Sequence, residues 1–86
     1  MIRFTPSDNG STTIISVAGW LEVNDLAELE SHCANARNTV VFDLAQLKSA
    51  DEASIRWLCD HVKQGCRVTG ASPYIKLRLE RGSDQS

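Results

Sequence analysis

The apolar residues of this 86-residue chain change their spacing along the sequence, and the changes separate predicted strands from predicted helices. β-Branched residues are dense at positions 12–18, and a shorter apolar run at 2–5 ends at Pro6. Between the runs lies Ser7-Asp8-Asn9-Gly10, and Asn-Gly is a strong hairpin signal. We therefore expect an antiparallel hairpin whose second strand ends at Gly19.

The next block has the spacing of an amphipathic helix. Its buried stripe is formed by Leu26, Leu29, Cys33 and Ala36. Asp25 followed by Glu28 fits a capping box, with Asn24 as a competing cap. The pattern predicts a first helix that ends near Asn38.

Residues 39–44 contain the consecutive apolar residues Val40-Val41-Phe42, which favour a central strand buried on both faces. A second helix is expected after Asp51, with Gly65 as its left-handed C-terminal residue. Its apolar face is formed by Ile55, Leu58, Cys59 and Val62.

Residues 66–71 read as another short strand, and Ser72-Pro73 is typical of a helix start. Residues 74–81 fit two structures, because Ile75, Leu77 and Leu79 alternate like a strand while Ile75 and Leu79 also share a helical face. The Ser-Pro start favours the helix. The predicted order is therefore β-β-α-β-α-β-α, an α/β fold with a mixed four-stranded sheet. We expect one domain over residues 1–81 and a disordered tail over residues 82–86.

Composition narrows the classes of function. The net charge of -2 leaves no broad basic face for nucleic acid. Apolar runs are far shorter than the ~20 residues that span a bilayer, and no signal peptide is recognisable, so a cytoplasmic protein is expected. The three cysteines form no CxxC motif, which indicates reduced thiols. We expect no cofactor and no metal, because the candidate ligands point apart on their helices; these are His32, Cys33, Cys59 and His61.

Several short motifs occur in a specific order. They are Gly19-Trp20-Leu21-Glu22, Asp43-Leu44, Asp51-Glu52-Ala53-Ser54-Ile55, Gly65 and Ser72-Pro73. With the order of elements, they resemble the STAS domain, the fold of bacterial anti-sigma-factor antagonists, over residues 13–79. The resemblance implies a single STAS-like domain.

The phosphorylated Ser or Thr of switchable STAS proteins has no counterpart here. The matching position is Ala53, which has no hydroxyl, while Glu52 replaces a small polar residue and Ser54 takes the place of a Gly. Either Ser54 or Ser49 is a displaced acceptor, or Ser54 is a capping hydroxyl and Ser49 a loop residue. The second interpretation is preferred.

Two loops are expected to follow the carboxyl ends of parallel strands, the edge at which α/β folds bind ligands. They form one predicted partner-binding surface of Trp20, Glu22, Asp51, Glu52, Ala53, Ser54 and Trp57. Asp51 is expected to cap the second helix, and Asp43 to shape a loop. Trp57 fits a role at the edge of the core as well as it fits an interface.

The resemblance implies a non-enzymatic protein-interaction module that binds an anti-sigma factor or a histidine-kinase-like partner in transcriptional or signalling regulation. The alternative is a STAS subunit of a lipid-type membrane ABC transporter that binds its ATPase. A small-ligand site is a weaker third hypothesis, because the chain has no glycine-rich phosphate loop. Catalysis is not expected, since Asp43 and Asp51 have no nearby His or nucleophile in sequence.

Overall fold

The computed structural model describes residues 2–36 and 38–84, and the surroundings of side chains as far as residue 81. This part of the chain forms a small α/β domain with a mixed five-stranded sheet, three α-helices and a 3-10 turn at Val23–Asp25. The strands are β1 (Ile2–Asp8), β2 (Thr12–Leu21), β3 (Thr39–Asp43), β4 (Leu47–Ala50) and β5 (Arg67–Thr69). The helices are α1 (Leu26–Asn35), α2 (Glu52–Lys63) and α3 (Pro73–Asp84).

Strand β2 is the centre of the sheet. The strand order is β1-β2-β3-β5, with β1 antiparallel to β2 and the other neighbours parallel. Strand β3 pairs with the first half of β2, and β4 pairs in parallel with its last residues on Gly19, Trp20 and Leu21. The long β2 therefore holds two shorter strands one after the other.

The core lies on one face of this sheet. Side chains alternate along β2, so Ile15 and Val17 are buried, and Ile15 lies opposite the buried Phe42 of β3. Each helix contributes a buried apolar residue to the same cluster, namely Leu29 from α1, Leu58 from α2 and Ile75 from α3. One apolar stripe per helix, expected from the sequence, is confirmed except at Val62, which was predicted on the apolar face of α2 but is 43% exposed.

The hairpin is longer than expected. Strand β1 continues through Pro6 to Asp8, because Pro6 lies opposite Ile15 in a pair that needs no inward N–H donor. Strand β2 continues through Gly19, where a positive φ of 101° accompanies a shift in the pairing with β4. The predicted stop at Gly19 is therefore wrong, since the glycine forms an irregularity within the strand.

Three further predictions need correction. The sheet has five strands, because residues 47–50, expected to be a loop, pair with β2 as β4. Helix α1 ends at Asn35. Helix α3 is confirmed over residues 74–81 but continues to Asp84, so residues 82–84 are not a disordered tail. The rest of the predicted tail, residues 85–86, lies outside the described residues.

Candidate functional site

The carboxylate of Asp51 connects the start of α2 to the end of β2. Its Oδ1 accepts a hydrogen bond from the Ser54 N–H at 2.8 Å, which is the predicted N-cap. Its Oδ2 accepts one from the Val23 N–H at 2.8 Å. The Asp51 N–H in turn donates to the Leu21 carbonyl at 3.1 Å. One residue therefore holds two loops together.

The pairing of β2 with β4 explains why these loops meet. Trp20 lies opposite Ser49 and Leu21 opposite Ala50, so the two strands end side by side at the carboxyl edge of the sheet. The expectation that both loops lie at one end of the sheet is confirmed. At this edge Glu22 begins the 3-10 turn, and its N–H donates to Asp25 Oδ2 at 3.0 Å. Asp25 therefore supports Glu22, and no side-chain capping bond from Asp25 begins α1.

Hydrogen bonding lowers the pKa of the Asp51 carboxyl. The nearby Ser54 hydroxyl is the largest cause of the lowered value, and desolvation, the second largest, opposes it. N–H donation from Ser54 and Val23 and the charge of Arg78 lower the pKa further. The Ser54 hydroxyl itself does not meet hydrogen-bond geometry with any group. The two N–H bonds at 2.8 Å are therefore the firm interactions of this carboxylate.

Exposed side chains surround this cap. Trp20 is 53% exposed and Val23 is 54% exposed, and both adjoin the loops that Asp51 connects. Glu52 and Ala53 are exposed on the first turn of α2, where Glu52 forms an i,i+4 ion pair with Arg56 at 3.4 Å. We call this set the Asp51 surface; it consists of Trp20, Glu22, Val23, Asp51, Glu52 and Ala53.

Ser54 does not belong to the Asp51 surface, although the sequence placed it there. Its side chain is fully buried, and its hydroxyl has no hydrogen-bond partner in the part of the chain that the structure describes. The hydroxyl therefore neither caps the helix nor contacts solvent, and the capping oxygen is that of Asp51. Ser49 lies on β4 and is partly exposed.

Trp57 packs between α1 and α2. Its Nε1–H donates to Glu30 Oε2 at 2.8 Å, its ring stacks on His61 at 3.7 Å, and it meets the edge of Phe42 at 5.5 Å. His61 completes the contact, since its Nε2 lies 3.4 Å from the same Glu30 oxygen. Of the two interpretations of Trp57, the geometry supports a residue at the edge of the core.

One residue of α3 reaches the site, although the sequence gave no sign of it. Arg78 donates from Nη1 to the carbonyl of Ala50, directly before Asp51, and its guanidinium lies 5.8 Å from the ring of Tyr74. Tyr74 is 55% exposed. The i,i+4 spacing of Tyr74 and Arg78 is visible in the sequence, but the contact of Arg78 with Ala50 spans 28 positions and has no local signal.

The cysteines lie in apolar surroundings. Burial, followed by Cys66 and Glu30, raises the pKa of the Cys33 thiol to about 11. Burial also raises the pKa values of Cys59 and Cys66, which leaves little thiolate at neutral pH. Among the described residues, no three His, Cys, Asp or Glu side chains converge as metal ligands. In the same part of the chain, no helix combines the length and apolar character needed to cross a bilayer.

No protein-family model and no curated protein matches this sequence. Among solved structures, the chain is similar to the crystal structure of a protein named Mglu, with a TM-score of 0.63 and 20% sequence identity. The match covers 74% of this chain and 18% of the Mglu chain. The similarity therefore supports the fold of the α/β domain alone, in a protein several times longer.

Proposed function

We propose that this chain is a non-enzymatic protein-interaction module of the STAS type. It binds an anti-sigma factor or another histidine-kinase-like protein through the Asp51 surface, as part of transcriptional or signalling regulation. The proposal rests on the order of the sequence motifs and on the double hydrogen bond of Asp51. These bonds hold the exposed Val23 beside the start of α2.

The composition of the surface fits docking better than catalysis. Large exposed aromatic side chains are enriched at interfaces, and Trp20 is held by the backbone pairing of β2 with β4. Asp51 uses both carboxylate oxygens to bind backbone N–H groups, so it acts as a structural acceptor. The elevated thiol pKa values make the cysteines poor nucleophiles.

Ala53 makes this interaction constitutive with respect to phosphate. A phosphate group adds about -1.5 to -2 charges at neutral pH, and at an exposed first-turn position it would repel an acidic partner. Ala53 is exposed there but has no acceptor oxygen, and the adjacent Ser54 hydroxyl is buried. Regulation, where it occurs, acts through partner levels or another site.

A pull-down from native lysate tests the partner. We expect the tagged chain to recover a protein with a histidine-kinase-like ATPase domain, and the Trp20→Ala and Ala53→Glu variants to recover at least about tenfold less. Leu77→Ala is the matched control, because Leu77 is 49% exposed on α3. Recovery of an ABC-transporter ATPase would favour the transporter alternative. Reproducible binding of a small molecule with no protein partner would refute both.

Restoring the acceptor tests the missing switch. After incubation with the recovered kinase-like partner and ATP, we expect intact-mass analysis to show one added phosphate on the Ala53→Ser variant and none on the unmodified chain. An added phosphate on Ser49 or Ser54 of the unmodified chain would contradict the proposal that switching is absent.

A further inference from the structure

A second surface lies at the opposite flank of α3, along the free edge of the sheet. Strand β5 pairs with β3 on one side, and among residues 2–36 and 38–84 no strand pairs with its other side. A groove of about 430 Å³ runs along this edge. We call it the β5 groove; its walls are Val62, Val68, Ala71, Lys76, Leu79 and Glu80.

The backbone of Val68 points into the open edge. The carbonyl of Thr69 accepts a hydrogen bond from the Leu44 N–H at 2.8 Å, so the peptide groups of Thr69 face β3. Because successive residues of a strand point their N–H and C=O groups to opposite sides, those of Val68 face away from β3. Among the described residues, Val68 therefore presents one unpaired donor and one unpaired acceptor at the edge.

The side chains of the groove match a strand laid beside β5. Val62 is 43% exposed, and with the half-buried Val68 and Leu79 it forms an apolar wall. Lys76 and Glu80 are exposed one helical turn apart on α3, about 6 Å along the axis. An extended peptide laid beside β5 would therefore meet the backbone groups of Val68, the apolar wall, and the opposite charges of Lys76 and Glu80.

We propose that the β5 groove binds an extended peptide segment of a partner protein by strand addition to β5. The segment carries an apolar residue against Val62 and Leu79, an acidic residue near Lys76 and a basic residue near Glu80. Main-chain hydrogen bonds to Val68 supply affinity, and the side-chain contacts supply selectivity. This surface is separate from the Asp51 surface and does not depend on the function proposed for it.

Selection from a phage-displayed library of short random peptides tests the proposal. We expect an enriched peptide with an apolar residue between opposite charges, and hydrogen exchange should show that it protects the Val68 amide. Val68→Pro removes the outward donor while proline remains acceptable at a sheet edge, so binding should fall about tenfold. Val68→Ile keeps the donor and an apolar, β-branched side chain and should retain binding.

Two further variants separate the alternatives. Val62→Asp should lower the affinity for the peptide, whereas Trp20→Ala, which alters the Asp51 surface, should leave that affinity unchanged. The proposal is overturned if no peptide is enriched, if Val68→Pro binds as well as the unmodified chain, or if Trp20→Ala abolishes binding. It is also overturned if sedimentation shows a dimer of this chain that Val68→Pro dissociates, because a second copy would then occupy the groove.

Discussion

At the scale of single residues, Asp51 is the residue that connects the two loops of the candidate site. The depressed pKa of its carboxyl means that the ionised form stabilises the folded chain. That stabilisation is complete above the unfolded value of 3.8 and is lost as the pH falls through the lower folded value. Stability falls with falling pH in this range because the folded state binds the proton more weakly than the unfolded state.

Replacing Asp51 by Asn tests this linkage. Asn remains a good N-cap, but it lacks the charge and the second acceptor oxygen for the Val23 N–H. We expect Asp51→Asn to lower the free energy of unfolding by about 1 kcal/mol at neutral pH, measured by urea denaturation. The difference should shrink steadily as the pH falls below about 4. A difference that is constant from neutral to acidic pH would show that the charge of Asp51 contributes nothing.

Gly70 is the second residue with a specific requirement. Its φ is +72°, and a Cβ there would lie 3.1 Å from Ala45 Cβ, Ala45 N and Asp43 Oδ1. Gly10 is a natural control, because its φ is +96° but nothing lies within 4 Å of an added Cβ. Both alanine variants incur backbone strain, and only Gly70→Ala adds a steric clash.

We therefore expect Gly10→Ala to lower the free energy of unfolding by about 1 kcal/mol and Gly70→Ala by about 2–4 kcal/mol. Urea denaturation of the two variants measures the difference. Equal losses would show that the loop after β3 yields without cost.

The same loop confirms the structural role expected for Asp43, whose Oδ1 accepts the Ala45 N–H at 3.1 Å.

Sequence reasoning at this scale succeeded where partners are close along the chain. The cap of Asp51 on Ser54 spans three positions, which is the spacing that the N-cap pattern encodes. The second bond of Asp51, to Val23, spans 28 positions, and no local pattern signals it. The same limit explains why the buried Ser54 was assigned to the surface: its burial depends on packing around α2.

At the scale of elements, a polar cluster of Glu30, Trp57 and His61 connects α1 to α2. Glu30 of α1 accepts from Trp57 of α2 and approaches His61, so one carboxylate meets both rings. Both ring nitrogens of His61 lie near oxygen acceptors. Nε2 is 3.4 Å from Glu30 Oε2, and Nδ1 is 3.0 Å from the Trp57 carbonyl. The cluster therefore links the two helices.

A double-mutant cycle measures this connection. Trp57→Phe removes the indole N–H while keeping an aromatic ring against Phe42, and Glu30→Ala removes the acceptor. We expect each single variant to lose about 1 kcal/mol of unfolding free energy and the pair to show a coupling of about 0.5–1.5 kcal/mol. Glu28→Ala is the control, because the Glu28 carboxylate lies 3.9 Å from His32 and outside this cluster. A coupling of zero would contradict the role of the Glu30 bond.

Element prediction failed in one informative place. The apolar periods of α1 and α2 were sufficient because a helix satisfies its own backbone groups. Strand β4 has four residues, and it forms only by parallel pairing with β2, which precedes it by a helix and a strand. Residues 47–50 carry two buried apolar positions, but nothing in their spacing distinguishes a short parallel strand from a loop.

At the scale of the whole molecule, the two edges of the sheet differ in how they present their backbone. Strand β1 forms one edge; on the opposite side of β2, β5 lies beyond β3, and β4 lies beside the last residues of β2. Directly after β1, the Asn9 N–H bonds to the Thr12 carbonyl, so the alternating ladder leaves Pro6 in a pair without inward hydrogen bonds. Because proline has no N–H, the outward side of β1 lacks a donor at Pro6. Such an interruption of an edge strand protects against edge pairing.

Replacing Pro6 by Thr restores the outward N–H on a seven-residue edge strand. Thr favours strands, so the fold should persist while the edge becomes continuous. We expect sedimentation velocity to show concentration-dependent self-association of Pro6→Thr under conditions in which the unmodified chain does not associate. Thr5→Val is the matched control, because it raises strand propensity without adding a donor. If both variants behave like the unmodified chain, Pro6 does not protect this edge, and the contrast with the open β5 edge loses its physical basis.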